Sequence, residues 1–189
     1  MKLKTLEEVV EKNIVRLFTF FYENPAIFLT ESDVKSYLYN LLINDPFIKK
    51  FTPHFRNEHL RKESKTFIVH TELSEDIRSK EKSYDLLIFK HTKFVDLEHV
   101  GTTIAVEIKF NRRYPARKEK SSIIEDVKKA KHNRRGYLLW LNWDTPISDK
   151  HLNRVRKFSE RYGNVKFFYL DLFSEPIKTN LEELLKHAN

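Results

Sequence analysis

The chain has 189 residues, with 35 Lys and Arg against 27 Asp and Glu, which gives a formal net charge of +8. At 40% hydrophobic residues, with 15 Phe, it has enough apolar side chains to bury a core, which excludes an intrinsically disordered protein. The absence of Cys excludes disulfide frameworks, thiol nucleophiles, zinc ribbons and iron–sulfur clusters. Its apolar runs are far shorter than the ~18 residues of a membrane span. Acidic residues near the N-terminus predict no export, hence a cytoplasmic location.

The hydrophobic spacing predicts two helices at the start of the chain. Apolar residues recur at intervals of three and four over 4–22. The first helix is predicted to end before Pro25, because the residue before a proline avoids the helical region. Thr30 is predicted to cap a second helix, with Asp33 three positions on as its capping partner. The stretch 46–65 is predicted as a loop with a helical turn.

Strands rich in β-branched and aromatic residues follow and alternate with further helices. Gly136 is predicted as a helix C-cap, since glycine is favoured just after a helix. The later elements are predicted as strands over 66–71, 84–89, 102–110, 137–141 and 165–170, and as helices over 116–132, 148–160 and 180–188.

This order predicts the fold class. Three strands joined without helices form an antiparallel meander, and a fourth strand that arrives after a helix lies parallel to its neighbour. Helices on both faces of such a sheet give a three-layer α/β/α sandwich with a central mixed β-sheet. We interpret 1–189 as a single domain, with helical extensions over 1–24 and 171–189.

Charged residues interrupt two of the predicted strands. Asp85 lies at the start of one, and Glu107 and Lys109 lie on the same face of the next. Two neighbouring carboxylates repel each other, and a divalent cation relieves that repulsion; the carbonyl of Ile108 is a further oxygen ligand. Lys109 is then placed to orient or help deprotonate an attacking water. The alternative is that Glu107 and Lys109 form a simple surface ion pair.

These residues resemble the PD-(D/E)XK nuclease superfamily, the restriction-endonuclease-like fold, whose core runs helix, three strands, helix, strand. The match is Ser-Tyr-Asp-Leu-Leu at 83–87, followed by Ala-Val-Glu-Ile-Lys at 105–109. Tyr84 replaces the usual Pro. The resemblance implies that Asp85 and Glu107 bind Mg²⁺ or Mn²⁺ and that Lys109 acts on the attacking water.

Members of that superfamily often add a Glu from the first core helix, and Glu31 fits that place. Its position in the first helical turn also has a purely structural explanation, because an acid there favours the helix dipole.

The basic residues cluster in one part of the chain. Eleven lie between 109 and 135 against three acids, and the difference equals the whole net charge. We expect those beyond the third strand and on the following helix to hold phosphates, although a solvated helix face explains them equally. The candidates are Arg112, Arg113, Arg117, Lys128 and Lys129.

The leading hypothesis is therefore a Mg²⁺-dependent endonuclease that hydrolyses phosphodiester bonds in DNA. Its alternative is a catalytically inactive nuclease-fold protein that binds nucleic acid or serves as an assembly subunit, and a third interpretation is a protein-interaction module. Many nucleases of the superfamily pair to cut two strands, so a homodimer is one expectation, and the sequence leaves the oligomeric state open. The sequence leaves open whether the substrate is DNA or RNA, whether a strand is cut internally or from its end, and in which biological pathway the protein acts.

Overall fold

The structure is a computed structural model. The residues that it describes are 5–50, 54–57, 62–65, 68–74, 83–89, 93–94, 102–111, 127–128, 130, 135–143 and 146–180. The helices are α1 (Leu6–Glu23), α2 (Glu31–Asn44), α3 (Pro46–Lys49) and α4 (Asp149–Glu160), and residues 127, 128 and 130 are also helical. The strands are β1 (His54–Asn57), β2 (Lys62–Lys65), β3 (Val69–Ser74), β4 (Ser83–Phe89), β5 (Lys93–Phe94), β6 (Thr102–Asn111), β7 (Arg135–Asn142), β8 (Val165–Asp171) and β9 (Lys178–Thr179).

Helix α2 begins with the predicted capping box. The Asp33 backbone N–H donates to the Thr30 hydroxyl at 3.2 Å, and the Thr30 N–H donates to the Asp33 carboxylate at 2.8 Å. Backbone N–H groups of Leu29 and Thr30 hold the pKa of Asp33 below its ordinary value, because they stabilise the charged carboxylate. This local pairing sets where α2 begins, and with it the positions of the side chains in its first two turns.

The main sheet has six strands in the order β3-β4-β6-β7-β8-β9. The pairs β3–β4 and β4–β6 are antiparallel, and β6–β7 and β7–β8 are parallel. The predicted meander followed by parallel neighbours is therefore confirmed. The interpretation of 46–65 as a loop with a helical turn is right for α3 and wrong for β1 and β2, which pair with each other and with β5 in a small second sheet.

Helices cover both faces of the main sheet. On one face, α1 and α2 pack against β4 and β6 through apolar side chains such as Phe18, Leu38 and Ile108. On the other, the helical residues near 130 and α4 pack against Trp140 and its neighbours. The protein is thus an α/β sandwich around a mixed sheet, as predicted. Among the described residues, no helix is long and apolar enough to cross a membrane.

The two helical extensions predicted over 1–24 and 171–189 are described only in part. Helix α1 belongs to the main core and is held to the sheet by Glu11, whose carboxylate accepts from the Tyr137 hydroxyl at 2.7 Å and from Lys166 Nζ at 2.6 Å. Burial, followed by the charge of Glu11, raises the pKa of Tyr137. Residues 172–180 contain β9 and no helix, and the helix predicted over 180–188 falls almost wholly outside the described residues.

Gly136 is not a helix C-cap. It lies inside β7, paired with Ala105 on one side and Val165 on the other. A Cβ at this position would lie 2.8 Å from the Ala130 Cβ and 2.9 Å from the Ala130 carbonyl oxygen. The glycine is therefore required because the helical segment before β7 packs directly on the strand backbone.

Substituting Gly136 with Ala should lower the free energy of unfolding by about 1–3 kcal/mol, because the new methyl group overlaps backbone atoms that cannot move independently. Gly163→Ala is the matched control, since a Cβ there meets nothing within 4 Å. Urea denaturation of both variants tests this. Equal stability of the two would contradict the close packing of Ala130 on β7.

Candidate active site

The two strands that carry the predicted motif separate at its position. The described β4–β6 pairing runs from Phe89 opposite Thr102 to Leu86 opposite Val106. Beyond this point β4 continues beside β3, while β6 continues beside β7 as far as Asn111. We call the space between the diverging strands the fork. It exposes one edge of the β6 backbone, where N–H and C=O groups need other partners.

Asp85 fills the first position of that edge. Its Oδ2 accepts a hydrogen bond from the Ile108 backbone N–H at 2.7 Å. In an extended strand the N–H and C=O of one residue point to the same side, so the Ile108 carbonyl also faces the fork. The bond places the Asp85 carboxylate directly against the peptide that joins Glu107 to Ile108, as the predicted clustering of these residues requires.

Glu107 and Lys109 point to the opposite face of the sheet from Ile108, which packs with α1 and α2. The Glu107 side chain is only 2% exposed, and Lys109 is half-buried. They lie beside Leu138 and Trp140 in the register of β6 with β7. The predicted alternation along this strand is therefore confirmed, and the site combines a buried carboxylate with a half-buried lysine two residues away.

Helix α2 reaches the fork from the other face. Glu31 Oε2 accepts from the Phe110 backbone N–H at 3.4 Å, a long hydrogen bond. One turn further along α2, Lys35 Nζ lies 3.8 Å from Asp85 Oδ1. Carboxylates from two different elements thus bind alternate N–H groups of β6. Glu31 belongs to the same cluster as Asp85, as predicted.

The other predicted site residues have different outcomes. Lys128 is helical and exposed. The remaining predicted phosphate ligands lie outside the described residues and stay predictions: Arg112, Arg113, Arg117 and Lys129. Among described side chains, no three Asp, Glu or His residues are grouped as a metal-binding set. An ion at the fork would therefore need ligands besides carboxylates.

Sequence reasoning missed Lys35. Its spacing of four from Glu31 looks like an ordinary ion pair on a helix surface. In the structure only 15% of its side chain is exposed, and 14% of that of Asp85. The spacing alone indicates that Lys35 lies on the same helix face as Glu31. Only the position of α2 over the fork reveals that the lysine points towards Asp85.

A basic surface on α4 was also missed. Four exposed cations recur at intervals of four, three and four residues, which places them on one helix face about 16 Å long. This basic stripe consists of Lys150, Arg154, Lys157 and Arg161. Helix α4 packs over Leu138 and Trp140, so the stripe lies on the side of the sheet to which Glu107 and Lys109 point.

The start of α4 is fixed by a buried carboxylate. Asp171, at the end of β8, accepts from the Ile147 backbone N–H at 2.7 Å, the Asn142 side chain at 2.8 Å and the Ser174 hydroxyl at 2.6 Å. Its side chain is fully buried. These bonds join the entry of α4 to the carboxyl ends of β7 and β8.

Comparison with known proteins adds little. No protein-family model matches the chain, and no curated protein matches it significantly. Among solved structures, Pyrococcus furiosus SfsA in complex with Ca²⁺ is similar over 79% of this chain, with 16% identity and a TM-score of 0.39. The match spans 62% of that chain, less than two thirds of its length.

Replacing Asp85 with Ala should destabilise the protein by about 1–3 kcal/mol relative to Asp85→Asn. Both changes remove the charge, but only Asn keeps an oxygen that accepts from the Ile108 N–H. Thermal and urea unfolding of the two variants measures the difference.

Asp149→Ala is the surface control. Its carboxylate is 76% exposed and pairs with Lys178, a class of ion pair worth about 0–1 kcal/mol. If Asp85→Ala and Asp85→Asn are equally stable, the hydrogen bond does not hold the fork.

Proposed function

We propose that this chain is a metal-dependent nuclease of the PD-(D/E)XK type that hydrolyses phosphodiester bonds in DNA. The observation that carries the proposal is the hydrogen bond from the Ile108 N–H to Asp85 Oδ2 at 2.7 Å. It holds an acid from β4 against the segment of β6 that contains Glu107 and Lys109. The sequence order alone could not establish that these elements meet.

The oxygens at the fork fit Mg²⁺ or Mn²⁺. Asp85 Oδ1, the Glu107 carboxylate and the Ile108 carbonyl are hard ligands of the kind these ions prefer. A bound ion would supply positive charge for the scissile phosphate and would lower the pKa of a water. Two carboxylates and one carbonyl leave coordination positions for water and phosphate oxygens, as an ion that acts on a phosphodiester requires.

The chain's own groups have distinct tasks in the hydrolysis. The water oxygen bonds to phosphorus and gives up a proton, the bond from phosphorus to one sugar oxygen breaks, and one proton is taken up by that sugar oxygen, so that the elements of one water are added across the bond. Lys109 orients the water and stabilises the charge that develops on the phosphate. Glu31 holds the edge of β6 through the Phe110 N–H, so that the groups of this strand keep their positions.

The DNA partner is proposed from surface charge. The basic stripe on α4 lies on the same side of the sheet as Glu107 and Lys109 and is suited to successive phosphates of one strand. Lys128 and the predicted cations Arg112, Arg113, Arg117 and Lys129 would extend this surface. Pairing of two copies to cut both strands is part of the same proposal.

The second candidate function is a nuclease-fold protein that binds nucleic acid without cutting it, or that serves as an assembly subunit. It is favoured by one observation: the described side chains contain no group of three potential metal ligands among Asp, Glu and His. Such a protein would keep the basic surface and would not depend on the charges of Asp85 and Glu107.

Cleavage of single-stranded, duplex and branched DNA should appear with Mg²⁺ or Mn²⁺ and disappear with EDTA. Asp85→Asn, Glu107→Gln and Lys109→Met should each lower the rate by at least about 100-fold, because each removes a charge that acts on the reacting phosphate. Gel assays at fixed metal concentration measure the rates.

Glu8→Gln and Lys12→Met are the matched controls, as exposed residues in the first half of α1. Cutting that persists in EDTA, or that survives Glu107→Gln, would overturn the enzyme proposal. DNA binding without any cutting would favour the second candidate.

Neutralising Arg154 and Lys157 together should weaken DNA binding and reduce the dependence of log K on log salt by about 2, since each phosphate contact contributes ~0.9. The control changes two exposed lysines of the opposite face, Lys12 on α1 and Lys50 directly after α3. Fluorescence anisotropy over a range of salt concentrations measures both. An unchanged slope would show that the basic stripe does not contact phosphates.

A further inference from the structure

Lys35 is a charged group inside the fork that the proposed chemistry does not use. It extends from α2 until its Nζ lies 3.8 Å from Asp85 Oδ1, and 15% of its side chain is exposed. Long cationic side chains are usually solvated, because removing an ammonium from water is costly without a counter-charge. The position therefore needs a reason within the site.

The two oxygens of Asp85 have different surroundings. Oδ2 is fixed by the Ile108 N–H at 2.7 Å, so the orientation of the carboxylate is set by the backbone of β6. Oδ1 is the oxygen that remains to face a cation, and it is the one that faces Lys35. The ammonium and a divalent ion would share one ligand atom.

A lysine suits this position better than an arginine. Its ammonium is a compact point charge on a flexible stem of four carbons, so it can approach a carboxylate and can also swing away. Asp85 and Glu31 bring two acids to the same edge of β6. A tethered cation lowers their mutual repulsion when no other cation is bound.

We propose that Lys35 is a tethered cation that competes with the divalent ion for Asp85 and so sets the metal concentration at which the site fills. The inference rests on the proposed function, in which Asp85 and Glu107 hold Mg²⁺ or Mn²⁺. Without metal, Lys35 neutralises Asp85. A divalent ion bound to Oδ1 would meet repulsion from the nearby ammonium in this partly buried site, and the flexible lysine would move away.

The test is titration of the full-length protein with Mn²⁺ alone, without DNA, by calorimetry. Lys35→Met should bind Mn²⁺ at least about ten-fold more tightly than wild type, because the competing charge is gone. Lys35→Arg keeps the charge and should bind within a few-fold of wild type. Lys49→Met, an exposed lysine on α3, is the off-site control.

Thermal unfolding gives a second readout that does not depend on activity. Without metal, Lys35→Met should melt below wild type, since Asp85 loses a counter-charge. With saturating Mn²⁺ its rise in Tm should exceed that of wild type. Lys35→Gln, which keeps a long polar side chain, replaces Lys35→Met if the latter does not fold.

The outcomes separate the two proposals. One outcome is that wild type binds Mn²⁺, Glu107→Gln does not, and Lys35→Met binds no more tightly than wild type. The competition proposal is then wrong and the metal site stands. If neither wild type nor Lys35→Met binds Mn²⁺, the metal site itself fails and the role of Lys35 fails with it. Binding by Lys35→Met alone supports the competition.

Discussion

The separation of β4 from β6, held by the hydrogen bond from the Ile108 N–H to Asp85, is the constraint on which the candidate site depends. A side-chain carboxylate replaces the backbone partner that β6 would otherwise have had. The same hydrogen bond explains why an acid tolerates partial burial there, since a charge-assisted bond to a backbone N–H offsets part of the free-energy cost of desolvating the carboxylate. The structural role of Asp85 uses Oδ2, and the proposed binding of a metal ion would use Oδ1, so the two roles do not exclude each other.

Most of the fold could be predicted from the sequence where the signal is local. The capping box of Thr30 and Asp33 acts over three residues, and the alternation along β6 is readable without any partner. Gly136 could not be assigned, because a glycine between a helix and a strand fits either a C-cap or a close approach. Only its distance to Ala130 decides between them. The hairpin strands β1 and β2 were missed because their residues are largely polar, and β5 was missed because it has two residues and pairs with β1 non-locally.

The site was predictable in part for the same reason. Motif order identified Asp85, Glu107 and Lys109 and suggested Glu31, since the residue types and their spacing along two strands are visible in the sequence. The position of Lys35 depends on how α2 crosses the fork, which no local pattern records. Likewise, the basic stripe on α4 adds no net charge that stands out in the whole chain, because acidic residues elsewhere balance it.

The buried Asp171 has a consequence for how the chain meets a ligand. Asp171, at the end of β8, accepts hydrogen bonds from the Ile147 N–H before α4 and from the Asn142 side chain at the end of β7. It therefore anchors the start of α4 to the sheet. The backbone that carries the basic stripe is therefore ordered during folding and not during binding. Association with a polyanion, as proposed, would then cost the side-chain entropy of the cations but little backbone entropy. A carboxylate with no solvent exposure would thus lower the entropic cost of binding at an exposed helix face.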